Sequence, residues 1–409
     1  MHCLVFEPYY TGHRCEYLSH ILPALVELGV KVTLTTTRET IESYEFECQL
    51  RDLEGFDIDV IENGPHKSPY PSKIVVSWFR DTIARLKPDH CYVPTGDGIV
   101  KWLGLTATLR WQAIPRDLEI EAIFFSDGTE LQKTDLKSSV KRSLHRFFIN
   151  RTTCARVTFL DSFVRDSLCQ GNRLNGRAYI GPDPTVPIDS VDRVEARRVL
   201  QIPEDSFYIG CAGSINSLKS IDLLLDAFRL AIKQLPNNAK LLLAGKCDDT
   251  IRKLLDDEYG DLLEANKIIA LDRFLTPEEM TMSIPAMDFV AVTYAQDKSS
   301  GIALRAINAR RPIISANIGS IAKTIALLDN GIIVDVHDRD AFAAALVEAA
   351  QNNSIEPDNP KIREFLNFHS VENFLATYLQ RLRQRLGLPS VPVLSWDEVL
   401  GSIQTVGKS

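Results

Sequence analysis

The chain reads as an α/β protein built from two Rossmann-like, doubly wound domains. Three observations carry that reading. Its 409 residues suffice for two cores of ordinary size. Short apolar runs alternate with amphipathic helical patterns along most of it. A stretch rich in Pro and Gly, Ile180-Gly181-Pro182-Asp183-Pro184-Thr185-Val186-Pro187, interrupts the alternation near the middle.

Strands are expected at 2–7 and 30–36, around a helical stripe of Leu18, Ile21, Leu22, Leu25 and Leu28 that Gly29 closes as a C-terminal cap. Further strands are expected at 57–61, 89–94, 121–126 and 156–160. After the interruption the alternation resumes with strands near 207–213, 239–245, 267–274, 288–294, 312–316 and 331–336, each followed by a helical pattern. These runs predict a first domain over 1–183, a second over 188–370, and a segment of 371–409 that packs back on the first. Phe374, Tyr378, Leu379 and Leu382 mark the helix of that last segment.

Composition narrows the function. With 45% hydrophobic and 24% charged residues the chain is of ordinary globular kind. A formal charge of -8 argues against general nucleic-acid binding, which releases counterions from a basic surface, but leaves a nucleotide-sized ligand open. The eight cysteines are scattered without C-x-x-C or zinc-finger spacing, which suits free thiols in a reducing compartment. The N-terminus enters a strand-like run directly, and no segment approaches a membrane span. A cytoplasmic location is therefore expected. The segment Lys133–Arg156 holds seven Lys or Arg against the single acid Asp135. Its Lys133, Lys137, Lys141 and His145 run beside a stripe of Leu136, Val140, Leu144 and Phe148. Either it is a solvated helix face, or it docks on anionic lipid at the cytosolic face of a membrane.

Three loops are candidates for chemistry. Pro8-Tyr9-Tyr10-Thr11-Gly12-His13-Arg14 joins the first strand to its helix, where a glycine lets backbone N–H groups approach an anion; a plain tight turn has the same spelling. Gly213-Ser214-Ile215-Asn216-Ser217-Leu218-Lys219-Ser220 follows the strand of 207–213 and offers a lysine at a strand's C-terminal end, although a lone lysine is more often only solvated. In Ala295-Gln296-Asp297-Lys298-Ser299-Ser300-Gly301, ahead of a helix from Ile302, serines and a glycine expose N–H groups at the positive end of the helix dipole. An ordinary N-cap by Ser299 or Ser300 uses the same groups. No metal site is expected. Asp57-Ile-Asp59 lies on a strand pattern and Asp338-Arg-Asp340 at a helix start, where Asp is a common cap.

Together these loops resemble the family 4 (group 1) glycosyltransferases of the GT-B fold, over most of the chain and most closely from about Phe207 to Ala350. The family's G-R-x-x-x-x-K-G-like loop corresponds to Gly213-Ser214 through Lys219-Ser220, with the lysine kept and Ser214 in place of arginine. Leu243-Ala244-Gly245, Arg273-Phe274-Leu275 before Thr276-Pro-Glu-Glu, and Ala286-Met287-Asp288 match further landmarks. The E-x7-E element appears as Asp297-x7-Arg305, followed by Arg311-Pro312-Ile313-Ile314-Ser315-Ala316.

The resemblance implies two domains facing a cleft that holds a nucleoside diphosphate sugar, with UDP-glucose the first choice. It implies catalytic roles for Lys219, Asp297 and His13. Donor binding is implied at Gly12, Gly213, Ser214, Arg273, Phe274, Leu275, Ser299, Ser300, Gly301, Ile302 and Arg305. Asp297 would hold the sugar hydroxyls, and Arg273-Phe274-Leu275 would frame the base. Arginine cannot accept the ribose hydroxyl hydrogens that a glutamate at 305 would take, so Arg305 serves ribose or phosphate as a donor, or the ribose is held elsewhere. Asp97, in Thr95-Gly96-Asp97-Gly98, is a candidate for the reaction centre from the first domain.

The implied reaction is metal-independent, cofactor-free hexosyl transfer to a glycan or glycolipid, with retention. A nucleotide-sugar epimerase or a phosphorylase of the same architecture, and a non-catalytic sugar-nucleotide-binding subunit, stay open as alternatives. Donor hydrolysis separates the last of these from an enzyme.

Overall fold

The computed structural model describes all residues except 112–113, 116, 126–135, 170–173, 175, 187–190, 295–299, 352–358 and 407–409. Residues 1–184 with 368–396 form one compact unit, and residues 185–367 with 397–409 a second. Each holds a wholly parallel sheet, which the strand-helix rhythm predicts because parallel neighbours need a crossover between them.

In the first unit the strands are β1 (His2–Phe6), β2 (Lys31–Thr37), β3 (Asp57–Ile61), β4 (His90–Val93), β5 (Glu119–Phe124), β6 (Arg156–Phe159) and β7 (Ala178–Ile180). They lie in the order β3-β2-β1-β4-β5-β6-β7, so the winding reverses between β1 and β4. Val5 of β1 sits level with Leu34 on one side and Tyr92 on the other. The middle strands are buried along almost their whole length because both faces are covered, and the polar pair within them, His90 and Glu121, is matched at 3.0 Å. On one face Phe79, Ile99, Leu103 and Ile149 from three crossover helices pack on Leu4, Phe6 and Val93. On the other, Leu18, Leu22 and Leu25 of the helix Arg14–Glu27 pack on Val5 and Leu34. Each such side chain, fully buried, contributes about 1.5–3 kcal/mol.

The sequence pattern misses β7. Its three residues form an edge strand, half-buried or exposed along its length, and carry no run long enough to stand out.

The second unit contains β8 (Phe207–Ala212), β9 (Ala239–Ala244), β10 (Ile268–Leu271), β11 (Phe289–Val292), β12 (Ile313–Ala316) and β13 (Gly331–Val334). The order is β10-β9-β8-β11-β12-β13, with the reversal between β8 and β11. Asp288 locks the start of β11. Its carboxylate accepts from the Tyr208 N–H at 2.7 Å, from Arg197 at 2.8 Å and from Arg193.

The helix Val371–Arg385, capped by Ser370, buries Phe374, Tyr378, Leu379 and Leu382 in the same cluster as Leu18 and Leu22. The Arg156 guanidinium donates to its Thr377 carbonyl at 2.7 Å. Against the expectation for 371–409 as one piece, residues 397–409 group with the second unit. The last helix, Trp396–Val406, buries Val399 and Ile403, one face at four-residue spacing.

Candidate active site

Ligands of open parallel sheets bind beyond the carboxyl ends of the strands, where the winding reverses. In the second unit that place is filled by the loop leaving β8. Gly213 has φ +84, a conformation that costs a Cβ-bearing residue. A 3-10 turn, Ser217–Lys219, then brings the chain back, and Ser220 enters the next helix at φ +51. The turn folds the Lys219 side chain beneath the loop. Only 8% exposed, its ammonium donates to the Ala212 carbonyl at 2.6 Å. The Thr293 hydroxyl, just past β11, donates to the Lys219 carbonyl at 2.8 Å. Lys219, Thr293, Tyr294 and Ile302 line one small recess with Cys211.

This loop is pressed from the other side by Gly245, at the end of β9. At φ +140, a Cβ there would lie 2.1 Å from the Gly213 carbonyl oxygen. No side chain fits, so the glycine of Leu243-Ala244-Gly245 is demanded by the approach of two backbones.

The helix Gly301–Asn308 begins beside Lys219. An added Cβ at Gly213 would stand 3.4 Å from the Lys219 Nζ and 3.6 Å from the Ile302 Cδ1. Ser300 is the N-cap. Its hydroxyl accepts from the Ala303 N–H at 3.2 Å and approaches the Tyr294 hydroxyl at 3.5 Å. The amides of Gly301 and Ile302 precede the helix's own ladder and carry the positive end of its dipole. Lys219, Gly213, Ile302, Ser300 and Gly301 are thus brought together, with Ser214 next in the loop, where its hydroxyl accepts from the Asn216 side chain at 3.2 Å. Arg305 lies one turn into the helix, half-buried. Asp297 and Ser299 lie outside the described residues.

Arg273, Phe274 and Leu275 follow β10, two strands away from β8. The Arg273 guanidinium grips Glu279 in two bonds of 2.6 and 2.5 Å, and Glu279 also accepts from the Thr276 N–H at 2.9 Å. The Arg273 contact first, and then that N–H, hold the Glu279 carboxyl down to about 2. The bidentate pair fixes the loop's shape. Phe274 projects into solvent and Leu275 is buried beneath it.

The first unit has its own reversal, between β1 and β4, and a residue there that the sequence reading passed over. Glu7, one residue beyond β1, is wholly buried. Its carboxylate accepts from the Thr95 hydroxyl at 2.7 Å and the Tyr9 N–H at 3.1 Å. The Arg14 Nε donates to the same Thr95 oxygen at 3.0 Å, and its guanidinium stacks on Tyr9 and reaches Thr11. Burial pushes the Glu7 carboxyl up to about 7, against the Arg14 charge and the Thr95 and Tyr9 hydrogen bonds. The only signal in the sequence is an acid closing an apolar strand immediately before a glycine loop.

In that loop Gly12 has φ +76, and His13, the N-cap of the helix Arg14–Glu27, bonds Glu16 at 3.1 Å through Nδ1. Asp97 faces inward: its carboxylate accepts from the Phe125 N–H at 2.8 Å. Among the described residues no group of three His, Cys, Asp or Glu side chains is placed to hold a metal ion.

This fold is GT-B, shared with solved structures that include WaaG, a glycosyltransferase involved in lipopolysaccharide biosynthesis. Residues 206–352, which take in all six strands of the second sheet, match the family Glycosyl transferases group 1, so the family resemblance is met where its motifs are densest. A D-inositol 3-phosphate glycosyltransferase of Corynebacterium urealyticum is 29% identical over 154 residues, 37% of this chain and 36% of that protein. One from Xylanimonas cellulosilytica is 31% identical over 169 residues, 40% of this chain and 38% of that protein. The chain thus covers well under half the length of these relatives. Among solved structures, sucrose-phosphate synthase from Thermosynechococcus elongatus superposes with a TM-score of 0.70 at 15% identity, over 95% of this chain and 99% of that one. Anabaena HepE in complex with UDP-glucose superposes at 0.62 and 16% identity, over 95% and 99%.

Proposed function

We propose that the protein transfers a hexose from a nucleoside diphosphate sugar, UDP-glucose being the first choice, to a glycan or glycolipid acceptor, without a metal ion. One observation carries this reading. A buried ammonium and a helix start converge at the carboxyl ends of β8 and β11, where a diphosphate would meet positive charge already in place.

When the sugar's anomeric C–O bond breaks, the electron pair leaves with the distal phosphate oxygen of the nucleoside diphosphate. Lys219 and the amides of Gly301 and Ile302 would stabilise that charge, with no reorganisation needed because Ala212 and Ser300 already fix them. The acceptor hydroxyl attacks the anomeric carbon and gives its proton to the departing phosphate oxygen. Arg305, one turn along the same helix, would direct its guanidinium back towards the diphosphate, since helical side chains lean towards the N-terminus. The charge absent at Ser214 would be restored in this way. Arg273, committed to Glu279, would shape the base-binding loop through backbone groups, and exposed Phe274 would offer a ring to the base. His13 and Gly12 would serve the acceptor side, and Asp297 the sugar hydroxyls.

The reading is supported by HepE, whose structure holds UDP-glucose on the same fold. A screen of nucleotide sugars for thermal stabilisation tests it, since a ligand of the native state raises the melting temperature. UDP-glucose should stabilise and be slowly hydrolysed. A chain that no nucleotide sugar stabilises and that hydrolyses none is not this enzyme.

A further inference from the structure

An amphipathic helix ordinarily turns its apolar stripe to the core. The helix Leu136–Ile149 does the reverse. Leu136, Val140 and Leu144, at four-residue steps, are 81%, 51% and 50% exposed, and Phe147 on the same arc is exposed as well. The side that packs on the sheet carries Ile149, which is buried, with Phe148 and His145 half-buried. The helix Asp97–Thr108 lies against it so closely that a Cβ on Gly104 would fall 1.8 Å from the Phe148 carbonyl oxygen. Both helices belong to one layer over the sheet, so their solvent sides form one surface. The second helix adds exposed Leu105 to it.

The charge on this surface is as one-sided as its apolarity. Residues 136–151 hold five Lys or Arg and no Asp or Glu, in a chain of net charge -8. Lys137 and Lys141 border the apolar row, and the Arg151 guanidinium stacks over Phe147 at 3.7 Å. Contiguous exposed apolar residues on a soluble unit mark a contact surface. Apolar side chains along the midline of a helix with basic side chains on its flank fit the boundary of a bilayer with anionic headgroups, where the row enters the acyl region and the lysines meet phosphate.

We propose that this two-helix face, centred on Leu136–Ile149, docks the protein on an anionic bilayer surface. The proposal stands apart from the site on the second unit, and its test does not depend on activity. Flotation of the full chain with phosphatidylcholine vesicles, with and without phosphatidylglycerol, reads it directly. Two double variants accompany the parent: Lys137→Glu with Lys141→Glu, and Leu136→Asp with Leu144→Asp. Because the changed side chains are on the surface, melting curves of both variants should match the parent's, and a variant that melts early is replaced by Lys137→Gln with Lys141→Gln, or by Leu136→Ser with Leu144→Ser.

The expected result is binding that requires phosphatidylglycerol and weakens with salt. The lysine pair should cut partitioning by roughly 30-fold or more, since each basic residue near an anionic surface contributes about fivefold. The leucine pair should lower it on every vesicle that binds. Absence of binding to phosphatidylglycerol vesicles at low salt overturns the proposal, as does binding that both pairs leave intact. A concentration-dependent dimer lost in the leucine pair, without vesicle binding, would instead make the face a contact between copies.

Discussion

At the reversal of the first sheet a buried carboxyl, Glu7, follows the central strand; at the reversal of the second a buried ammonium, Lys219, lies under the loop that leaves it. The winding reverses in the same way, but the buried titratable group is an acid in one and a base in the other. A site that holds a diphosphate needs positive charge organised beforehand, and in the proposed reading the buried lysine and the helix start of the second unit would supply it. The first unit places an acid whose proton is loosely held near neutral pH, together with Thr95 and Arg14, at its matching position. The loops differ in the same sense. Gly213 is clamped by Gly245, whereas an added Cβ at Gly12 would meet nothing nearer than the Arg14 side chain at 3.8 Å. The loop of the second unit is clamped over a buried lysine, whereas that of the first is less tightly packed and lies beside a buried acid and Arg14.

The largest effect is expected in the loop of the second unit. Lys219→Ala should lower kcat by roughly 10² or more, the scale of losing one preorganised charge at a developing oxyanion. Steady-state rates on protein whose circular dichroism matches the parent's check this. An excess of chelator should leave the parent's rate unchanged, and rescue by Mg²⁺ or Mn²⁺ after chelation would contradict the metal-free scheme.

In the first unit the expected effect is on stability. The Glu7 carboxyl moves from an ordinary 4.5 to about 7 on folding, so the folded state holds a proton that the unfolded chain has released between those values. Stability should therefore fall as pH rises through that window, by at most about 3 kcal/mol, with the loss complete above it. Glu7→Gln should flatten the slope, as read by urea unfolding at a series of pH values. A parent with no slope there would mean that folding leaves the Glu7 carboxyl at its ordinary value.

The glycines sharpen the contrast further. Gly245→Ala drives a Cβ into the Gly213 backbone at a φ unsuited to it and should cost about 2 kcal/mol or more. Gly12→Ala strains only φ and should cost about 1 kcal/mol. Equal losses in denaturant midpoints would erase the distinction between a clamped and an open loop.

The smallest effect concerns Arg305. Arg305→Ala should weaken UDP by about tenfold, as for one partly solvated charge-assisted contact, and uridine far less. Adding Ser214→Arg should recover much of that loss. Equal weakening of both ligands with no recovery would remove Arg305 from the phosphates.

The contrast also explains what the sequence made legible. Both doubly wound sheets could be read because most strands are four residues or more, rich in apolar and β-branched side chains and spaced by helical stripes; β7, three edge residues, had no such signature. Lys219 and Gly213 were legible as a pattern, but burial of the lysine depends on the turn Ser217–Lys219, which no local spelling announces. The need for Gly245 arises between two strands and exists only in three dimensions. Glu7 gives no signal of its own because an acid closing a strand reads as the approach to a loop, and only Thr95, two residues past β4, reveals that it turns inward. The stripe Leu136-Val140-Leu144 was visible at helical spacing, but periodicity cannot say which way a stripe faces.

In the proposed reading the Lys219 loop and the helix from Gly301 form the diphosphate site. Titration calorimetry of UDP and of uridine against the parent and Lys219→Ala tests it most directly. Lys219→Ala should lose affinity for UDP by about tenfold or more, as for a charge-assisted contact to phosphate, while uridine binds both proteins alike. UDP binding the variant as tightly as the parent, or both ligands weakening together, would contradict it.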